Sequence, residues 1–305
     1  MGDRVIMHVD MNAFYASVAQ HLDPGLRGKA VAVAANPERR NGIILAKSRE
    51  AKACGVKTAE AIWQAKQKCP DLVVVPPDYA AYKRYSRLAR MIYYGYTDLV
   101  EPFGLDESWI DITGSLPLFG GDAMLVAREI SERVKFELGL TVSVGISWNK
   151  VFAKLGSDTD PGDGIIAITR ENFRDVAWPM AASEMVYVGP ATMRKLHSAG
   201  YETIGDLAHA GESISEEALR QDRHHAARVR EGRGRKPVKA MDPSKADVAL
   251  CCEGDRQRPH RPARSRMRLR REGPRLAPLR IRGAEASRVT DALPERCRWG
   301  RGSHA

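Results

Sequence analysis

The sequence has no apolar run long enough to cross a bilayer. Stretches such as Leu72–Val75 fall far short of the ~18–20 residues a membrane span needs. Its start, Met1–Arg4, carries charge and leads into Val5–Val9, too short for the ~7–15-residue core of a secretion signal, so a cytoplasmic protein with no membrane partner is expected. Paired thiols are also missing. Cys54, Cys69, Cys251, Cys252 and Cys297 are odd in number and lack metal-ligand spacing, which excludes a disulfide framework and a zinc site. What is present is 305 residues, enough for about two domains, with the 43% hydrophobic and 28% charged content of a globular chain.

Lysine is absent from the last sixty residues. Ala246–Ala305 holds 15 arginines against 7 acidic residues and so supplies +8 of the net charge of +10. The same stretch lacks apolar periodicity, and its Arg- and Pro-rich run from Arg256 to Arg271 offers no helix or strand face. The expectation for residues 252–305 is a disordered basic tail. Back-translation of Cys252–Ser265 with permitted codons, read one base on, gives Val-Lys-Gly-Ile-Gly-Asn-Ala-Leu-Thr-Ala-Pro-Arg-Asp-Leu, so a frameshift in the gene is a further expectation for this tail.

Upstream, Arg4–Val9 alternates like a strand and hands over to a helix at Ala13–His21, leaving Asp10 at the strand's carboxyl end. An insertion follows: an apolar stretch at Ala30–Ala35, a helix at Ser48–Cys54 stopped by Gly55, and another from Thr58 to Lys68 stopped before Pro70. Asp78 can cap a long helix to about Tyr96. Strands at Val100–Phe103 and Ser108–Ile112 flank a turn at Gly104–Glu107, followed by a helix at Asp122–Glu137 and a strand at Thr141–Ser147. With the insertion removed the order is β-α-β-β-α-β, a split ferredoxin-like α+β fold.

In that topology the first and third strands are antiparallel neighbours, so Asp10 meets Asp106 and Glu107 at one sheet edge. Three converging carboxylates repel unless a cation sits among them. Hard oxygen donors suit Mg²⁺, which keeps positions for water and substrate phosphates, and two such ions could serve an in-line phosphoryl transfer. Taken singly, Asp10 could instead cap the helix that follows, and Asp106-Glu107 could be a solvated turn.

Three blocks carry a recognisable pattern: His8-Val-Asp-Met-Asn-Ala-Phe-Tyr-Ala-Ser-Val18, Gly104-Leu-Asp-Glu-Ser-Trp-Ile-Asp-Ile112 and Gly145-Ile-Ser-Trp-Asn-Lys-Val-Phe-Ala-Lys154. The chain resembles the Y-family translesion DNA polymerases of the polymerase IV type, through Gly189–Ala208 and fading after about Pro243. The resemblance implies a palm at 1–19 and 78–165, inserted small fingers at 20–77, a helical thumb with a helix–hairpin–helix at 166–232, a linker at 233–251, and an aberrant tail at 252–305 in place of a little finger. It implies low-fidelity, template-directed addition of dNMP to a primer 3′ end with two Mg²⁺ ions. Asp10, Asp106 and Glu107 would be the metal-binding carboxylates, joined by the backbone carbonyl of Met11. Tyr15 would block a ribose 2′-hydroxyl with Phe14 beside it in the nucleotide pocket. Lys154 would contact the triphosphate.

The chain departs from the common family pattern at several positions. Arg49-Glu-Ala-Lys52 replaces Tyr-Glu-Ala-Arg, yet Arg49 and Lys52, with Lys47, still suit phosphate. Ala19 replaces a glutamate, and Asp160 stands where lysine is common. In the thumb, Tyr187-Val-Gly-Pro-Ala-Thr-Met-Arg-Lys-Leu196 resembles a hairpin that offers backbone amides to a DNA phosphate, with Gly189, Ala191, Thr192 and Lys195 as the DNA-contacting set. Primer–template DNA and dNTPs are the implied partners, the chain acting as a monomer; binding to a sliding clamp is left open by the residues. Two other classes share these features: a DNA-binding relative without activity, and a metal-dependent phosphohydrolase or cyclase. Tyr15, Lys154 and the hairpin favour synthesis.

Overall fold

The computed structural model describes residues 3–39, 41–160, 162–185, 188–209 and 237–239. In chain order the first half runs β1 (Ile6–Met11), α1 (Phe14–Leu22), β2 (Val31–Ala35), β3 (Ile43–Lys47), α2 (Arg49–Ala53), α3 (Ile62–Lys68), β4 (Val73–Val75) and α4 (Tyr79–Tyr94). It continues with β5 (Val100–Pro102), β6 (Glu107–Asp111), α5 (Ala123–Leu138), β7 (Val142–Ser147), α6 (Lys150–Thr159), β8 (Ile165–Ala167), α7 (Phe173–Ala177), α8 (Pro190–Ser198) and α9 (Ile204–His209). The architecture is mixed α+β, and among the described residues no helix is long and apolar enough to cross a membrane.

Five strands form the main sheet in the order β5-β6-β1-β7-β8. β1 lies at its centre, antiparallel to both β6 and β7, so it is hydrogen-bonded on both sides. Side chains alternate across a strand, and here that alternation divides the sheet. Met7, Val9 and Met11 join Ile110, Val142 and Val144 in one core with residues of α4 and α5, including Ala89, Ile92, Ile130 and Val134. His8 and Asp10 point to the other face, where α6 packs.

A separate three-stranded sheet, β3-β2-β4, has its own core of small side chains, among them Ala32, Ala34, Ala51 and Ala65 with Ile44 and Ile62. Two of its strands differ from the sequence expectation, which had none at Ile43–Lys47 or Val73–Val75: β4 pairs parallel to β2, and β3 antiparallel. The helix expected from Thr58 begins only at Ile62. The preceding residues are drawn into the sheet, because Ile44 N–H bonds to Glu60 O and Ala59 N–H to Ile44 O, and Ala59 is left-handed at φ 66°.

β8 was likewise not expected; it adds a parallel edge to β7. Past it, Trp148, Phe152 and Ile168 form a third core with Leu196, Ile204 and Leu207, tying α6 to α7, α8 and α9. Within the stretch read as a linker, Val238 is buried against Ile6, Trp109 and Ala153, and Lys239 N–H donates to Glu101 Oε2 at 2.7 Å. The rest of that stretch, residues 210–232 of the expected thumb, and the expected tail at 252–305 with its frameshift lie outside the described residues.

Candidate active site

The site is built on the α6 face of the main sheet, at the end of β1. In register, Asp10 lies between Glu107 on β6 and Ser143 on β7, and His8 between Trp109 and Gly145. The amide of Met11 donates to Asp106 O at 3.1 Å, which holds the turn before β6 against the end of β1. Asp10 therefore belongs to the strand and does not cap α1; the cap position is Ala13, in a left-handed conformation at φ 48°. Such a backbone is uncommon for alanine, and here it is the step that turns the chain from β1 into α1.

On this face α6 approaches closely because position 145 has no side chain: a Cβ on Gly145 would lie 1.8 Å from Ala153 O. Asn149 starts the helix by accepting from Phe152 N–H at 2.9 Å. One turn on, Lys154, Ser157 and Asp158 share a side, as residues three and four apart do. Lys154 Nζ sits 3.1 Å from Glu107 Oε1 and 3.2 Å from Asp158 Oδ1.

Crowding of acids in a partly buried place shifts their protonation. Burial, then the charges of Glu107 and Asp106, push the Asp10 pKa up to about 8. Burial and Glu107 raise Asp106 to about 6. Glu107 moves the other way: burial would raise it, but His8 and Lys154 beside it hold it below the usual carboxylate range. Lys154 is raised although burial opposes it, because Glu107, Asp158 and Asp10 surround it.

These acids are hard oxygen donors under mutual repulsion, which is the chemistry that a Mg²⁺ ion relieves. Among the described residues no three His, Cys, Asp or Glu side chains already converge on one metal-binding point. The donor set fits the ion by type.

Tyr15 projects from α1 and stacks on Tyr82 of α4, ring centroids 4.0 Å apart and 7° from parallel, with Tyr79 edge-on to both. Burial, with Asp106 next, pushes the Tyr15 hydroxyl up to about 12, so it is protonated. Phe14 lies beside Tyr15, ring centroids 5.7 Å apart, and is 3% exposed in the core shared with α4. Met11 is also buried by its side chain.

Arg49 and Lys52 are exposed on α2, whose N-cap Ser48 accepts from Ala51 N–H. Lys47 beside them bonds Thr58 Oγ1 at 3.0 Å, and its pKa is lowered by burial and by Lys52. Gly189 caps α8, with Ala191 and Lys195 exposed and Thr192 half-buried; Tyr187, the departure at the hairpin, is outside the described residues.

Sequence reasoning assigned no role to His8, Ser157, Asp158 or Tyr82, all of which the fold brings to the site. One signal was available: His8 precedes Asp10 by two residues and so had to share its sheet face. The helix residues gave no comparable sign, because the approach of α6 to the sheet depends on the missing side chains at Gly145 and Gly156.

An α+β fold with a central antiparallel strand, acids at its end and a lysine-bearing helix across them is the class this structure defines. Residues 9–158, which run from β1 through α6, match the model of the impB/mucB/samB family. It is 52% identical over 205 residues to DNA polymerase IV of Acetivibrio thermocellus, covering 67% of this chain and 51% of that protein. It is 46% identical over 209 residues to DNA polymerase IV 1 of Bacillus subtilis, covering 68% and 50%. The chain thus spans about half the length of the curated relatives it matches. Among solved structures, a Y-family DNA polymerase chimera superposes with a TM-score of 0.71 at 22% identity over 78% of this chain and 70% of that one. DinB from Sulfolobus solfataricus gives 0.69 at 23% over 77% and 69%. At these identities the likeness is one of fold.

Proposed function

We propose that this chain is a template-directed DNA polymerase of the lesion-bypass type, joining a dNMP to a primer 3′ end with release of pyrophosphate. The observation that carries the reading is the placement of Asp10 opposite Glu107, with Asp106 held at the same strand end and Lys154 facing them. That the relatives bear the name DNA polymerase IV supports it. In this reading residues 1–19 and 78–165 are the palm, 20–77 the fingers and 166–232 the thumb.

Asp10, Asp106, Glu107 and the Met11 carbonyl would hold two Mg²⁺ ions, which supply charge neutralisation at the attacking and leaving oxygens. The remaining work falls to the chain. Lys154, already on the acidic face, offsets charge on the departing pyrophosphate. Arg49 and Lys52 hold the triphosphate. Tyr15, braced by Tyr82, excludes a 2′-hydroxyl by its bulk. The exposed start of α8, with Gly189, Ala191, Thr192 and Lys195, takes a DNA phosphate without reading sequence.

Primer extension by the full chain tests this. Synthesis is expected with Mg²⁺ and not with chelator, and Asp106→Ala is expected to reduce it by on the order of a hundred- to a thousandfold, as loss of transition-state charge stabilisation does. An Asp106→Ala variant that extends primers at the parent rate overturns the assignment.

A further inference from the structure

His8 is a fully buried polar side chain, 0% exposed, beside carboxylates that are only partly buried. Its ring is fixed on three sides. Trp109 meets it edge-on at 5.2 Å between centroids, Gly145 lies beside it on β7, and Nδ1 is 2.8 Å from Ser157 Oγ on α6. The other nitrogen, Nε2, has no hydrogen-bond partner and points at Glu107 Oε2 from 3.6 Å. Buried polar atoms are rarely left unpaired, and each exception calls for a cause.

Glu107 offers its two oxygens to two different groups, Oε1 to Lys154 and Oε2 to His8. A carboxylate can only accept, and the atom facing it is best satisfied as a donor. Nδ1 lies against the Ser157 hydroxyl, which also reaches Lys154 O at 2.7 Å, so the carboxylate facing Nε2 is what places the ring proton.

We infer that His8 is a positioning residue: anchored by Ser157, it directs Nε2–H at Glu107 Oε2 and sets the orientation in which that carboxylate joins Asp10 and Asp106. Closing the gap to hydrogen-bond length takes a shift of only about 0.6 Å in the Glu107 side chain. Ligands held by such outer partners typically lose roughly 10–100-fold in metal affinity when the partner is removed. This role rests on the proposed use of Glu107 as a metal ligand, but the ring geometry does not.

Two measurements on the full chain separate the claims. Long-range ¹H–¹⁵N spectra of histidine-labelled protein read the tautomer directly: an Nε2–H ring whose signals move in Glu107→Gln is expected, and an Nδ1–H ring overturns the inference whatever the protein's activity. The second is the Mn²⁺ dissociation constant from electron paramagnetic resonance, without DNA, alongside the thermal midpoint. His8→Leu is expected to weaken Mn²⁺ at least tenfold. His8→Gln, which keeps an amide donor at the same reach, should stay within about threefold, and His8→Leu should add nothing in a Glu107→Gln background. A His8→Gln protein with the parent's thermal midpoint but the same loss as His8→Leu overturns the positioning role. Failure of the parent to bind Mn²⁺ at all counts against the polymerase reading, and leaves the spectroscopic result to decide the geometry of His8.

Discussion

The two faces of β1 are made of alternating residues of one short strand, yet they behave as different materials. Met7, Val9 and Met11 are sealed in a dry core with α4 and α5. His8 and Asp10, one residue out of phase, carry a buried ring and a carboxylate raised to about 8. A period of two lets a single central strand hold a site rigidly while keeping its chemistry out of the core. Stability is invested on one face, and the unfavourable crowding of charge is tolerated on the other.

The sharpest test of this division is Ile110→Ala, on the core face. It is expected to lower unfolding free energy by about 2–5 kcal/mol in urea titrations, while activity per folded molecule stays at the parent value. A proportionate fall in activity of the folded fraction would mean that the faces are not separate.

Gly145→Ala should break the comparison from the other side. The new methyl has no room beside Ala153 O, so α6 must retreat, and a loss of about 1–3 kcal/mol follows from overpacking. Because α6 brings Lys154 and Ser157, activity should fall as well. Unchanged kinetics in a destabilised protein would show that the close approach serves packing alone.

Protonation sharpens the contrast further. The Asp10 pKa is raised from 3.8 to about 8 on folding. The folded state therefore binds this proton more tightly, and the stability it confers is full below about pH 4 and lost as pH rises through about 8. Asp10→Asn removes that dependence. In chelator, its thermal midpoint should gain on the parent steadily from pH 4 to pH 8, and parallel curves would refute the crowding of charge.

The smallest effect is expected at the aromatic stack. Tyr15→Ala removes a ring pair worth about 0.5–1.5 kcal/mol, and in single-nucleotide insertion it should raise ribonucleotide use relative to deoxyribonucleotide. Unchanged sugar selectivity would leave Tyr15 a packing residue only.

Much of this was legible in local pattern. The alternation around Asp10, the cap at Asp78 and the apolar spacing of Asp122–Glu137 are properties of neighbouring residues, and they place β1, α4 and α5 to within a residue or two. The short strands β4 and β8 were not legible, for three apolar residues mark a strand only when a partner is available to pair with them. The start of α3 was misplaced for a related reason: the amides of residues 59 and 61 do not enter a helix, since β3 and the Gln64 side chain engage them first.

By itself the sequence determined the alternation that puts His8 and Asp10 on one face and the apolar residues on the other, and it placed Asp106-Glu107 in a turn that could meet them. Only the tertiary structure decided which oxygen of Glu107 faces Lys154 and which faces His8, that Phe14 is interior, and that Tyr82 braces Tyr15. Periodicity is a property of the backbone and can be read along the chain. These contacts depend on how closely α6 and α4 approach the sheet, and that distance is set by the absence of a Cβ at Gly145 and by ring packing between residues far apart in sequence.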